Sequence, residues 1–142
     1  MGGYDLMIPR LIQIRRWQVL FLFSFDIDDI EEIWDALSWA DAPMSVVSKV
    51  SENVSAGRLD EGFTYSDPNL RRTVFAISKT SSGPEVLDST VHEIIHIAQH
   101  IAVEDGIDPF SEEFAYLGGD ISREVSDIVC ELSCPHCNSR HD

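Results

Sequence analysis

Two histidines and a glutamate carry the most specific chemistry in the chain. They lie in Thr90-Val91-His92-Glu93-Ile94-Ile95-His96, where HEIIH fits the HExxH pattern. On a helix, residues four apart share a face, one turn or roughly 6 Å along the axis, so two imidazoles so placed can grip one metal ion. Glu93 points about 100° around the helix from His92. That puts it beside the ion, where it can take a proton from a bound water. The chemistry indicated is metal-assisted hydrolysis, with His92 and His96 as zinc ligands and Glu93 as the base.

The periodicity divides the surrounding helix into two faces. Leu87, Val91, Ile94, Ala98 and Ile101 form an apolar stripe. Ser89, His92, His96, Gln99 and His100 lie opposite, so the histidines belong to a polar face rather than to a core pattern. The bland alternative is a pair of surface histidines beside a solvated glutamate.

Hydrolytic zinc sites add a third protein ligand and keep one position for water. His100 lies eight residues from His92, about 12 Å along the axis, too far to share its ion. A carboxylate from the following helix is the better candidate. Glu113 falls with Asp120, Glu124, Asp127 and Glu131 on a charged face. Glu112 falls beside Ala115, Gly119, Ser126 and Cys130, a strip of small residues along which two helices can approach closely. Glu112 is therefore the expected third ligand and Glu113 the alternative. Tyr116, one turn on from Glu112, offers a hydroxyl to an oxyanion, although ordinary helix packing accounts for it as well.

These residues need elements to hold them. Residues 1–10 read as a loose start, and Leu11 to Phe25 as a buried strand region in which Trp17, Val19, Phe21, Phe23 and Phe25 alternate with Gln18, Leu20, Leu22 and Ser24. Asp26 or Asp28 caps a helix with Ile30, Ile33, Trp34, Leu37 and Ala40 on one face. Pro43 opens a second helix, with Met44, Val47, Val50 and Val54 in register, ended by Gly57. Together they form a helical hairpin with an acidic outer surface that covers a sheet. Gly62–Tyr65 and Arg71–Lys79 read as strands around the turn Ser66-Asp67-Pro68-Asn69. The motif helix starts at Pro84 or Glu85 and stops at Gly106. Ser111 caps the last helix, whose stripe is Phe114, Leu117, Ile121, Val125, Ile128 and Leu132. The class is α+β, in one domain over 1–142: an N-terminal strand and helical hairpin (1–60), a metal-site half (61–133) and a Cys/His tail (134–142).

Composition narrows the partners. The chain has 142 residues, 44% of them hydrophobic, enough for one domain with a core. Its net charge of −15 repels phosphate backbones, and Arg15-Arg16 and Arg71-Arg72 are the only basic clusters. Nucleic acid is not an expected partner; a peptide or protein substrate is. The apolar run Val19–Phe23 is too short to span a bilayer and lacks a cleavage site, so no membrane association is expected. Three cysteines crowded at one end make a poor disulfide framework, which indicates a reducing, cytoplasmic compartment.

HEIIH followed by SEEFAYLGGD, together with GFTYSDPNLRRTVFAISKTSS, resembles a group of small phage- and prophage-encoded proteins with HExxH and an EExAYLxG-type segment. The resemblance covers roughly the C-terminal two-thirds. That group is held to be zinc peptidases of unassigned substrate. More distantly the arrangement is similar to gluzincins and the ImmA/IrrE family, whose pattern falls on His92, His96, Glu93 and Glu112, with Ala115 as the matching alanine. Tyr116 departs from it, since those relatives carry Asn or Asp there. The resemblance implies a small gluzincin-like zincin domain, in which a short mixed sheet packs on the HExxH helix and a C-terminal helix contacts it. It also implies one Zn2+ and an edge strand that aligns an extended peptide, for which Arg71–Lys79 is the candidate. The rival reading is a non-catalytic metal-binding or protein-interaction domain that keeps this fold.

The tail holds the remaining metal-ligating residues. Cys130, Cys134, Cys137 and His141 could supply four ligands to a second zinc, and CxxxCxxC also matches an iron–sulfur spacing. The usual second cysteine pair is missing, and the spacing favours a frayed terminus with free thiols.

Overall fold

The computed structural model describes residues 6–58, 62–79 and 82–133. The chain divides into two compact units between residues 79 and 80. The first is a mixed four-stranded sheet with two helices, and the second is a pair of helices, so the α+β class expected from the periodicities holds.

The first unit runs β1 (Ile8–Ile14), β2 (Trp17–Phe25), α1 (Ile30–Trp39), α2 (Met44–Ser55), β3 (Phe63–Asp67) and β4 (Arg72–Ser78). The sheet order is β1-β2-β4-β3. β1 and β2 are antiparallel, β2 and β4 parallel, and β3 and β4 antiparallel. Parallel β2 and β4 require a crossover, and α1 and α2 lie within it.

Three expectations need correction here. The chain enters the sheet at Ile8, not Leu11, and the expected strand region is a hairpin turning at Arg15-Arg16. Arg15 takes a left-handed φ of 53°, a conformation that glycine or asparagine would have advertised and arginine does not. Second, Arg72–Ser78 is not an edge strand. It pairs with β2 on one side and β3 on the other, and the edges are β1 and β3. Third, Phe25 does not share a face with Phe21 and Phe23. The register slips between Phe23 and Phe25, where Ser24 has φ 63°. The bulge sends Phe25 to the helix-covered face.

That face carries a core of Leu22, Phe25, Val74 and Ala76 against Ile33, Ala36, Leu37, Ala40 and Val54 of the helices. On the opposite face Phe21, Phe23 and Phe75 pack ring to ring, with centroids 4.7 to 5.7 Å apart. Both faces are buried, which explains why β2 reads as nearly continuous apolar sequence. The helical hairpin covers the sheet as its spacing predicts, with Pro43 at the cap position just before α2. Asp26 and Asp29 form a reciprocal capping box ahead of α1. Lys79 Nζ donates to Asp26 Oδ2 at 3.0 Å, and this contact, with the Asp28 backbone N–H, holds the Asp26 carboxyl below its ordinary range. At the β3–β4 turn the Asp67 carboxylate accepts the Asn69 backbone N–H at 2.8 Å.

The second unit is α3 (Gly83–Asp105) and α4 (Glu112–Ser133). Ser82 caps α3, accepting the Glu85 N–H, and Gly106 ends it with φ 70°. Ser111 Oγ accepts the Phe114 N–H at the start of α4. Leu117, Ile121, Val125 and Ile128 of α4 are buried, as their period predicts. Among the described residues no helix is long and apolar enough to cross a membrane.

Candidate metal centre

The site is built on the middle of α3. Four residues of helix bring His92 and His96 onto one exposed ridge, with ring centroids 4.8 Å apart and the rings nearly perpendicular. Their Nε2 atoms stand 3.2 Å from each other. Two imidazole ligands on a tetrahedral zinc, each about 2.0–2.1 Å from the ion, would have nitrogens roughly 3.3 Å apart. The pair therefore has the spacing of two adjacent corners of a zinc tetrahedron. Without an ion the same distance suits one shared proton, with either nitrogen as donor.

Glu93 sits at the buried margin of this ridge, 7% exposed. A glutamate so enclosed departs from the solvated surface residue that the bland reading requires. His100 continues the ridge, with its ring 6.5 Å from that of His96. Burial first, and then the neighbouring His96, hold the His100 imidazole below its ordinary pKa, while Glu93 acts the other way.

The buried face of α3 differs from the apolar stripe read from spacing. Val86, Thr90, Glu93, Ile94, Ile97, Ala98, Ile101 and Ala102 are buried. Leu87, Val91 and Ile95 are about half exposed. Leu87 and Val91 instead line an apolar groove with Ser126, Val129 and Cys130 of α4. Thr90 Oγ1 is buried there without a hydrogen-bond partner among the described residues.

Helix register determines which carboxylates stand level with the histidines. A side chain on Gly83 would strike the backbone carbonyl of Ser133, so the first residue of α3 meets the last of α4. The two helices run antiparallel from that contact. At 1.5 Å per residue, His96 lies roughly 20 Å from it along α3 and Glu112 roughly 31 Å along α4, a mismatch of about 12 Å. Glu112, Glu113 and Tyr116 are all exposed, and the small-residue strip of Ala115, Gly119, Ser126 and Cys130 is exposed rather than packed on α3. Among the described residues no third His, Cys, Asp or Glu joins the two histidines in a metal-holding group.

The same count sets Asp120 and Glu124 level with His96 and His92. Asp120 accepts from Arg123 at 2.7 Å. Sequence reading passed over both carboxylates as a solvated face. The signal was present in the short connection between α3 and α4, which demands an antiparallel pair and so fixes which residues lie abreast. Cys130 is exposed near the far end of α4. Cys134, Cys137 and His141 lie outside the described residues. No protein-family model matches the chain, and no curated protein or solved structure matches it.

Proposed function

We propose that this chain is a zinc-dependent peptidase. The observation that supports the reading is the 3.2 Å separation of the His92 and His96 Nε2 atoms, with the buried Glu93 one residue away on the same helix. His92 and His96 would hold the ion. Zinc bound there supplies Lewis acidity toward water and a scissile carbonyl. Glu93 accepts the proton of the attacking water and returns it to the leaving amine, a role its carboxylate can fill without being a ligand. Glu112 is the third ligand that the resemblance implies, and Glu113 is the alternative. For either to serve, the first turn of α4 has to stand nearer the histidines than it does here.

That same mismatch favours a second reading, a metal-binding or protein-interaction domain without catalysis. Two histidines then supply part of the coordination sphere, and solvent or a partner's side chains complete it.

One pair of measurements tests both readings. Metal analysis should find about one zinc per chain in a variant lacking Cys134 and Cys137, and His96→Ala should lose it. Full zinc content in that variant would reject the site. A peptide-library digest read by mass spectrometry then separates the readings. If the protein is a peptidase, Glu93→Gln keeps its zinc and lowers cleavage by roughly 100-fold or more, the scale of general-base catalysis. A zinc-loaded native protein that cleaves nothing across the library supports the second reading.

A further inference from the structure

A groove on the outer surface of the first unit, remote in sequence from the histidines, has its own chemistry. It lies between α1 and α2 and is lined by Trp34, Met44, Val47, Ser48, Ser51 and Glu52, with a volume of about 550 Å³. Trp34 is 44% exposed and Met44 73% exposed. Such large apolar side chains beside one another on a helix surface are a common mark of an interaction site.

The indole is held in place. Trp34 Nε1 donates to Ser51 Oγ at 2.7 Å, and that hydroxyl donates to the Val47 carbonyl at 2.7 Å. The ring's one polar atom is thus satisfied within the protein, and what remains is apolar ring and π surface. Trp34 is fixed before any partner arrives, so little ordering cost attends binding to it.

The segment that carries the groove is strongly acidic, and Glu52 lines it. Between residues 26 and 55 the chain has eight carboxylates and a single cation, Lys49. Asp26 is engaged by Lys79, but among the described residues no ion pair engages Glu31, Asp35 or Glu52. This charge decides among occupants. A second copy would set one acidic face against another. Anionic lipid and nucleic acid would be repelled likewise. A cationic protein segment is attracted, and an exposed tryptophan adds cation–π attraction for lysine or arginine.

We propose that the α1–α2 groove docks a cationic amphipathic helix of a partner protein. An apolar side chain of that helix enters between Trp34 and Met44, and its lysines or arginines meet Glu31, Asp35 and Glu52. The surface does not depend on the metal reading, and a metal-free protein should bind equally well.

The test uses the full chain and a labelled leucine–lysine peptide with its leucines on one helical face. Controls are a scrambled peptide of the same composition and anionic vesicles. Fluorescence anisotropy should show the patterned peptide binding at least about tenfold more tightly than the scrambled one. Trp34→Ala should weaken it about tenfold or more, as loss of a central aromatic anchor does. Glu31→Lys with Glu52→Lys should weaken it several-fold while leaving the apolar groove intact, which covers the case in which Trp34→Ala fails to fold. Equal binding of scrambled and patterned peptides overturns the proposal, because the surface would then be reading charge alone. So does tight binding that survives the paired charge reversal, or binding to the anionic vesicles.

Discussion

α3 and α4 are nearly equal in length, 23 and 22 residues, yet they bury different kinds of residue. In α4 the buried positions are Leu117, Ile121, Val125 and Ile128, one apolar stripe and nothing else. In α3 a threonine and a glutamate are buried, while Leu87, Val91 and Ile95 are about half exposed. Patterning and burial agree in α4 and conflict in α3. Such local conflict is expected where function rather than stability has chosen the residues, and HEIIH lies in the conflicted helix.

The contrast can be broken by measurement. The largest effect belongs to α4: Ile121→Ala should cost about 2–5 kcal/mol of unfolding free energy, the range for a truncated core aliphatic. Denaturant titration would read it, and a loss no greater than that of an α3 groove residue would erase the difference between the helices. Next comes their shared end. Gly83→Ala should cost about 1–3 kcal/mol, because the new methyl meets the rigid Ser133 carbonyl and the helix ends must part. Thr90→Val should act in the opposite direction. It replaces a buried hydroxyl that has no partner among the described residues with a methyl of similar size, so stability should rise by about 1 kcal/mol. A loss there would mean that the hydroxyl is paired. Smallest is Leu87→Ala, below about 1 kcal/mol, since much of that side chain already meets solvent.

The third-ligand question sharpens the comparison further. Glu112→Ala should weaken zinc affinity well beyond Glu113→Ala if α4 reaches the histidines with its first turn. Titration of each variant with zinc measures this. Losses confined to Asp120→Ala or Glu124→Ala would follow the register found here instead.

Legibility varied with how local the cause was. The α4 stripe was readable because each residue declares its own burial. The cap at Ser111 and the stop at Gly106 were readable for the same reason. The His92–His96 pairing followed from helical spacing alone. The β1–β2 turn was missed because arginine, not glycine, takes the left-handed position at Arg15. The place of β4 was missed because pairing on both edges depends on partners distant in the chain. The level of Glu112 was missed because wheel positions report angle and not height, and height depends on the contact of Gly83 with Ser133.

The bulge at Ser24 has a consequence for how this chain can vary in length. A strand keeps two interleaved rows of side chains, and Ser24 switches Phe25 from one row to the other. Deleting Ser24 would place Phe25 directly after Phe23, on the row of Leu22, so it would remove the bulge and keep Phe25 packed with Ile33 and Leu37. A single-residue deletion or insertion elsewhere in β2 would instead exchange the rows. Away from Ser24, changes of length in this strand should therefore be tolerated in twos, as in a two-letter reading frame, while the Arg15-Arg16 turn can lengthen by one without exchanging any row.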